Sequence, residues 1–143
     1  KVAVAELVPA VIAWARGPMA ELAAGCLDDP RVSVVEDDVG RVIAADRGAW
    51  DAILLDVDNG PDGLTRRGND RLYGPVGLEA ARMALRPGGV LAIWSAAPDA
   101  KFARALAQAG FAVEEVVIRA RASGKPACIN VMIEGNPAPI VRR

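Results

Sequence analysis

The chain of 143 residues contains no histidine. This absence excludes Ser-His-Asp and Cys-His catalysis and leaves few ligands for a transition metal. The chain has two cysteines, Cys26 and Cys128, which lie far apart and form no Cys-x-x-Cys motif. We therefore interpret both as buried structural thiols and expect no bound metal.

Aromatic residues are scarce, at 4%, although hydrophobic residues make up 52% of the chain. No apolar run approaches the ~20 residues that a membrane-spanning helix requires, and the first residues lack the pattern of a signal peptide. We therefore expect a cytoplasmic protein without a membrane partner. Seventeen basic and eighteen acidic residues give a formal charge of −1, so no overall field favours nucleic acid, and a small-molecule partner is expected.

Apolar segments alternate between the periodicities of strands and helices. The length suits one domain, which we place at 1–135 with an irregular tail at 136–143. Most consecutive strands are separated by a helix, which predicts a doubly wound, mostly parallel α/β sheet. The last two strands follow each other directly and predict an antiparallel C-terminal edge. The expected strands are 1–7, 31–36, 50–57, 90–95, 111–120 and 127–133, and the expected helices are 9–24, 39–45, 75–85 and 99–109.

The connection 58–74 is longer than most in a compact domain, and such connections often act as lids. Tyr73 lies near its end, where its hydroxyl or its ring face would suit a cationic substrate. The competing interpretation is that the charges of this connection are only solvated.

Acidic residues lie at or just beyond the ends of three of the predicted strands. In an open α/β sheet, ligands bind beyond the carboxyl ends of the strands, so these carboxylates are candidate site residues. Each also has a plain structural interpretation: a polar strand end for Glu6, a helix N-cap for Asp37 or Asp38, and turn formation for Asp56 and Asp58.

Nucleotide-binding sheets of this kind usually open with a strand, a glycine-rich turn and a helix. The chain contains no Gly-x-Gly-x-x-Gly motif. The acid that closes the next strand in such sheets is present as Glu6. We therefore expect that the sequence starts just after the glycine loop.

Four stretches, 2–12, 32–38, 50–56 and 85–91, together carry a resemblance to a known family. In this order and spacing they resemble the spermidine synthase-like (polyamine aminopropyltransferase) family within the class I S-adenosylmethionine-dependent methyltransferase fold. The resemblance implies a Rossmann-like sheet with an antiparallel C-terminal edge, here without its first strand and glycine loop. It also implies S-adenosylmethionine or its decarboxylated form as the cofactor.

The resemblance further implies roles for individual residues. Glu6 would bind the ribose hydroxyls, and Asp38, or its competitor Asp37, would accept the adenine amine. Asp56 would also border the cofactor and serve as catalytic base or amine anchor. The remaining candidates are Asp58 as a second catalytic acid and Asn59 and Tyr73 as substrate contacts.

The sequence departs from the family's Asp-x-x-Asp-Pro pattern at one place. It has Asp56-Val57-Asp58-Asn59-Gly60-Pro61, so the second acid is shifted or replaced by an amide. The expected reaction is aminopropyl transfer to a small-molecule amine. Methyl transfer and a non-catalytic cofactor-binding domain are the alternatives, with a nucleotide-dependent dehydrogenase as a weaker third, and assembly into a homo-oligomer stays open.

Overall fold

The computed structural model describes residues 1–57, 70–95, 98–118 and 127–134, with the backbone alone described at 70, 117–118 and 127–134. The chain divides into two compact units, Lys1–Ala45 and Asp46–Arg143. The prediction of one domain over 1–135 remains a prediction, and the tail 136–143 lies outside the described residues.

The first unit contains two parallel strands, which pair from Val2 with Val32 to Ala5 with Val35. The predicted helix 9–24 is wrong in its length, because it breaks at Gly17 and Pro18. Proline has no amide hydrogen for the helical ladder, so a second short helix begins beyond it. The elements are β1 Val2–Ala5, α1 Pro9–Arg16, α2 Ala20–Ala23, β2 Val32–Val35 and α3 Val39–Ala45.

Cys26 opens a 3₁₀ turn, Cys26–Asp28, in the connection between α2 and β2. The backbone at Ala24 and Gly25 is left-handed, with φ of 48° and 72°, between the end of α2 and this turn. Cys26 is exposed, so its prediction as a buried thiol is wrong. The side chain of Cys128 lies outside the described residues.

The second unit contains a four-stranded sheet in the order β3-β4-β6-β5. Strands β3 and β4 are parallel, and β6 is antiparallel to both β4 and β5. The predicted antiparallel pair is thus present, with β6 inside the sheet and β5 at its edge. The elements are β3 Trp50–Leu55, α4 Asp70–Tyr73, α5 Pro75–Ala84, β4 Leu85–Ser95, α6 Ala100–Gln108, β5 Phe111–Ile118 and β6 Ala127–Glu134.

Strand β3 is buried on one face. Ile53 and Leu55 are nearly inaccessible, whereas Leu54 between them is 76% exposed, as the alternation of a strand requires. The nearly continuous apolar run 50–57 predicts a strand buried on both faces, and this prediction is wrong for Leu54. Among the described residues, β3 pairs with β4 alone and ends the four-stranded order. The core of this unit further includes Leu78, Ala81 and Ala84 of α5, Leu91 and Ile93 of β4, and Phe102 and Leu106 of α6.

None of the helices that the structure describes combines the length and the apolar character needed to cross a membrane.

Candidate functional site

The carboxyl ends of β1 and β2 bring two candidate acids together. Because the strands are parallel, both ends lie at the same edge of the two-stranded sheet. The backbone N–H of Glu6 donates to the Val35 carbonyl at 3.0 Å, and the N–H of Asp37 donates to the same oxygen at 3.1 Å. The two backbones therefore converge on one atom.

The Glu6 side chain is held by the turn that leads into α1. Its Oε1 accepts a hydrogen bond from the backbone N–H of Val8 at 2.8 Å, just before Pro9 at the start of the helix. Within the described part of the chain, Oε2 accepts no hydrogen bond. A carboxylate oriented in this way retains acceptor sites for the two hydroxyls of a ribose.

Asp37 and Asp38 are both engaged by their neighbours at the start of α3. Asp37 Oδ1 accepts the backbone N–H of Asp38 at 2.7 Å and lies 3.2 Å from the Arg41 guanidinium. Asp38 Oδ1 accepts the N–H of Gly40 at 2.8 Å and that of Arg41 at 3.4 Å. Asp38 is therefore a helix N-cap, as its structural interpretation predicted, and its Oδ2 accepts no hydrogen bond from the described residues.

Asp56 lies directly beyond the last residue of β3. Leu55 is 3% exposed and pairs with Ile93 of β4, whereas Asp56 is exposed. The neighbouring strand ends at Ser95, which is 5% exposed. A charged side chain thus stands at the carboxyl edge of a buried parallel pair, where ligands of α/β sheets bind.

Tyr73 is 7% exposed, and its hydroxyl donates to the Val57 carbonyl at 2.9 Å. Its ring contacts Phe102 edge-on, with centroids 5.8 Å apart and planes at 86°. The contact to Val57 was not predictable, because it joins residues 16 positions apart across the connection. Tyr73 as a substrate contact remains a prediction, and Asp58 and Asn59 lie outside the described residues.

Two ion pairs of the described residues each lower the pKa of a carboxyl group. The side-chain hydrogen bond from Arg31 lowers the pKa of Asp29 at the opposite, amino end of β2, and that from Arg82 lowers the pKa of Glu79 on α5. In the ranges that the structure describes, no three potential ligands from histidine, cysteine, aspartate and glutamate cluster tightly enough to hold a metal ion.

Comparison with known sequences gives one group of relatives. No protein-family model matches the chain. The polyamine aminopropyltransferase of Mycobacterium tuberculosis (strain CDC 1551 / Oshkosh) is 38% identical over 96 residues, which is 65% of this chain and 18% of that protein. The protein of the same name from Mycobacterium bovis matches equally. The chain thus spans less than a fifth of the length of these curated relatives.

Solved structures match over nearly the whole chain. The spermidine synthase of Thermotoga maritima covers 94% of this chain, and the match covers 45% of that chain, with a TM-score of 0.72 and 19% identity. A spermidine synthase in complex with the transition state analogue AdoDATO gives the same values. A Burkholderia thailandensis N1-methyltransferase with bound S-adenosylhomocysteine covers 94% of this chain, and the match covers 61% of that chain, with a TM-score of 0.61 and 18% identity.

These neighbours define the class of the protein as the class I methyltransferase fold, which spermidine synthases share. The predicted α/β class and fold are confirmed. Within this fold, the curated sequences to which the chain is similar are polyamine aminopropyltransferases.

Proposed function

We propose that this chain binds S-adenosylmethionine or its decarboxylated form and takes part in the transfer of an aminopropyl group to an amine. The observation that carries the proposal is its 38% identity to polyamine aminopropyltransferases. The exposed carboxylate of Asp56 at the carboxyl end of β3 supplies a suitable group for that reaction.

The donor set at the ends of β1 and β2 fits an adenosyl group. Glu6 would accept hydrogen bonds from the ribose hydroxyls, and Asp38 or Asp37 would accept one from the adenine amine. Each carboxylate is oriented by a backbone N–H on one oxygen, so the geometry of the other oxygen is preorganised. When bound, the cofactor supplies an electrophilic carbon beside a sulfonium.

Asp56 would act on the acceptor amine. An alkylamine is protonated near neutral pH, since its pKa is close to the ~10.4 of lysine. The carboxylate would hold the ammonium and accept its proton, so that the nitrogen lone pair becomes available. A new N–C bond then forms, the C–S bond breaks, and the sulfur keeps the electron pair as a neutral thioether.

The acceptor is proposed to be a small-molecule amine, with Asp58, Asn59 and Tyr73 as its contacts. In the sequence, Asn59 stands three residues after Asp56, where the Asp-x-x-Asp-Pro pattern of polyamine enzymes has its second acid. An amide binds a second ammonium less strongly than a carboxylate does, so an acceptor with one amine suits this sequence at least as well as a diamine.

Methyl transfer is the second candidate function, because methyltransferases are among the structures with the same fold. The two reactions use different forms of the cofactor. Aminopropyl transfer uses the decarboxylated form, whereas methyl transfer uses the carboxylated one.

The test combines calorimetric titration of both cofactor forms with mass spectrometry of the products from a panel of amines. We expect tighter binding of the decarboxylated form and an aminopropylated product. Asp56→Asn should lower kcat by about 100-fold or more. The matched control is Asp51→Asn, which removes an exposed acid at the opposite end of the same strand and should leave kcat unchanged.

Preference for the carboxylated form together with a methylated product would replace this proposal with the second candidate. Tight cofactor binding without any product would favour a non-catalytic domain.

A further inference from the structure

The chain around Asp56 is anchored on both sides. On one side, Leu55 is the last residue of the β3–β4 ladder and pairs with Ile93. On the other side, the carbonyl of Val57 accepts the hydroxyl hydrogen of Tyr73 at 2.9 Å. Asp56 is thus the one residue between a sheet anchor and a side-chain anchor.

The Tyr73 ring is itself held by α6. It packs edge-on against Phe102, and both side chains are at most 7% exposed. Asp99 caps this helix, with its Oδ1 accepting the backbone N–H of Lys101 at 2.8 Å and that of Phe102 at 3.0 Å. The position of the ring is therefore tied to the start of a capped helix.

The backbone that carries Tyr73 is also held closely. A Cβ atom at Gly77 on α5 would collide with the carbonyl oxygens of Arg71 and Leu72 on α4. Only glycine permits this approach, so α4 lies directly against the first turns of α5. The backbone next to Tyr73 is therefore held against α5, while the Tyr73 hydroxyl bonds the Val57 carbonyl.

We propose that Tyr73 is a positioning residue for Asp56. By holding the Val57 carbonyl, its hydroxyl restricts the backbone that follows Asp56 and so keeps the carboxylate aligned for proton removal from the acceptor. This inference rests on the proposed function, in which Asp56 is the base. Misplacement of a reacting group by about 1 Å can cost ~100-fold in rate, which is the scale of effect that such a restraint can protect.

The test compares Tyr73→Phe with Arg86→Met. Tyr73→Phe keeps the ring against Phe102 and removes only the hydroxyl. Arg86→Met is the matched control, because Arg86 bonds the Gly48 carbonyl at 3.3 Å and Asp51 at 2.7 Å, at the amino end of β3. Both variants lose a hydrogen bond to the backbone beside the same strand, at opposite ends of it.

Two measurements are made on each variant: steady-state kinetics of aminopropyl transfer and the ¹³C chemical shift of the Val57 carbonyl. We expect Tyr73→Phe to lower kcat by about 10- to 100-fold with little change in KM for the amine, because alignment rather than binding is lost. The Val57 carbonyl signal should move in Tyr73→Phe and stay in place in Arg86→Met.

An unchanged carbonyl signal in Tyr73→Phe, or an equal loss of kcat in both variants, would overturn the positioning role and leave the proposed function intact. If the unmodified chain transfers no aminopropyl group, the proposed function fails. The role of Tyr73 in aligning Asp56 for proton removal then fails as well. The carbonyl signal distinguishes these cases, since it reports the hydrogen bond without requiring turnover.

Discussion

At the scale of single residues, the candidate acids combine a structural role with acceptor capacity. Glu6, Asp37 and Asp38 each use one carboxylate oxygen to accept a backbone N–H of the turn that they begin. Such bonds satisfy the amide groups at the start of a helix or turn and orient the side chain at the same time. The functional and structural interpretations of these residues are therefore compatible.

Variants of Asp38 separate its two roles. Asp38→Asn keeps an oxygen that can cap α3, so we expect unchanged stability and weaker cofactor binding. Asp38→Ala also removes the cap, which should lower the free energy of unfolding by about 1 kcal/mol. Chemical denaturation and calorimetric titration measure the two effects. Asp37→Asn serves as the comparison: if it alone weakens cofactor binding, Asp37 rather than Asp38 binds the adenine amine.

The pKa of Glu79 offers a test of an ion pair on α5. Two hydrogen bonds from Arg82, at 3.1 and 3.0 Å, stabilise the charged carboxylate and lower this pKa. A lowered pKa in the folded state adds stability above the unfolded pKa, and that contribution is lost as the pH falls through the folded value. NMR titration of the Glu79 carboxyl should show a midpoint below that of a free glutamate, and Arg82→Gln should raise it. An unchanged midpoint in this variant would contradict the pairing.

At the scale of secondary structure elements, the path from β3 to β4 depends on close packing between two helices. Gly77 allows the carbonyls of Arg71 and Leu72 on α4 to approach α5. Helix α5 also buries Leu78, Ala81 and Ala84 in the core. The orientation of α5 is therefore set by the core on one side and by α4 on another.

Gly77→Ala should destabilise the protein although alanine favours helices. The added methyl group would force α4 and α5 apart, and overpacking of this kind costs about 1 to 3 kcal/mol. This cost equals or exceeds the ~1 kcal/mol gained in helix propensity. Urea denaturation measures the difference. Val76→Ala is the control, because Val76 is 84% exposed on the same helix and should change stability little. Equal stability of Gly77→Ala and the unmodified chain would show that α4 moves away freely.

At the scale of the whole molecule, the two units differ in how their strands are paired. Strand β4 has a partner on each side, β3 and β6, whereas β1 and β2 have only each other within the described residues. Within residues 1–45, Ile43 is the only buried residue, with 5% of its surface exposed. Two-stranded sheets with little burial are marginally stable by themselves.

Hydrogen exchange should reflect this difference. We expect the amides of β4 to exchange at least about 100-fold more slowly than those of β1. Local opening of β1 breaks one strand ladder and few apolar contacts, so it requires less free energy than opening of β4. Exchange followed by NMR or mass spectrometry provides the measurement. Equal protection of Val4 and Leu91 would contradict the expectation and would indicate that the first unit opens only with the second.

Much of the element order was predictable because its signals are local. Pro9 marks the start of α1, and Gly110, with φ of 95°, follows the end of α6. Errors arose where a local pattern continued past a break, as at Gly17 and Pro18. They also arose where burial depends on neighbours that the local sequence does not specify, as for Leu54 and Cys26.

Three features follow from the order of the residues alone: the alternation of strands and helices, the acids at the ends of β1, β2 and β3, and the resemblance to spermidine synthases. These features reside in periodicity, turn residues and spacing along the chain. Three others became visible in the folded chain: β6 lies between β4 and β5, the backbone N–H groups of Glu6 and Asp37 both donate to the Val35 carbonyl, and the Tyr73 hydroxyl donates to that of Val57. These contacts join residues far apart in sequence, so their geometry depends on how whole elements pack.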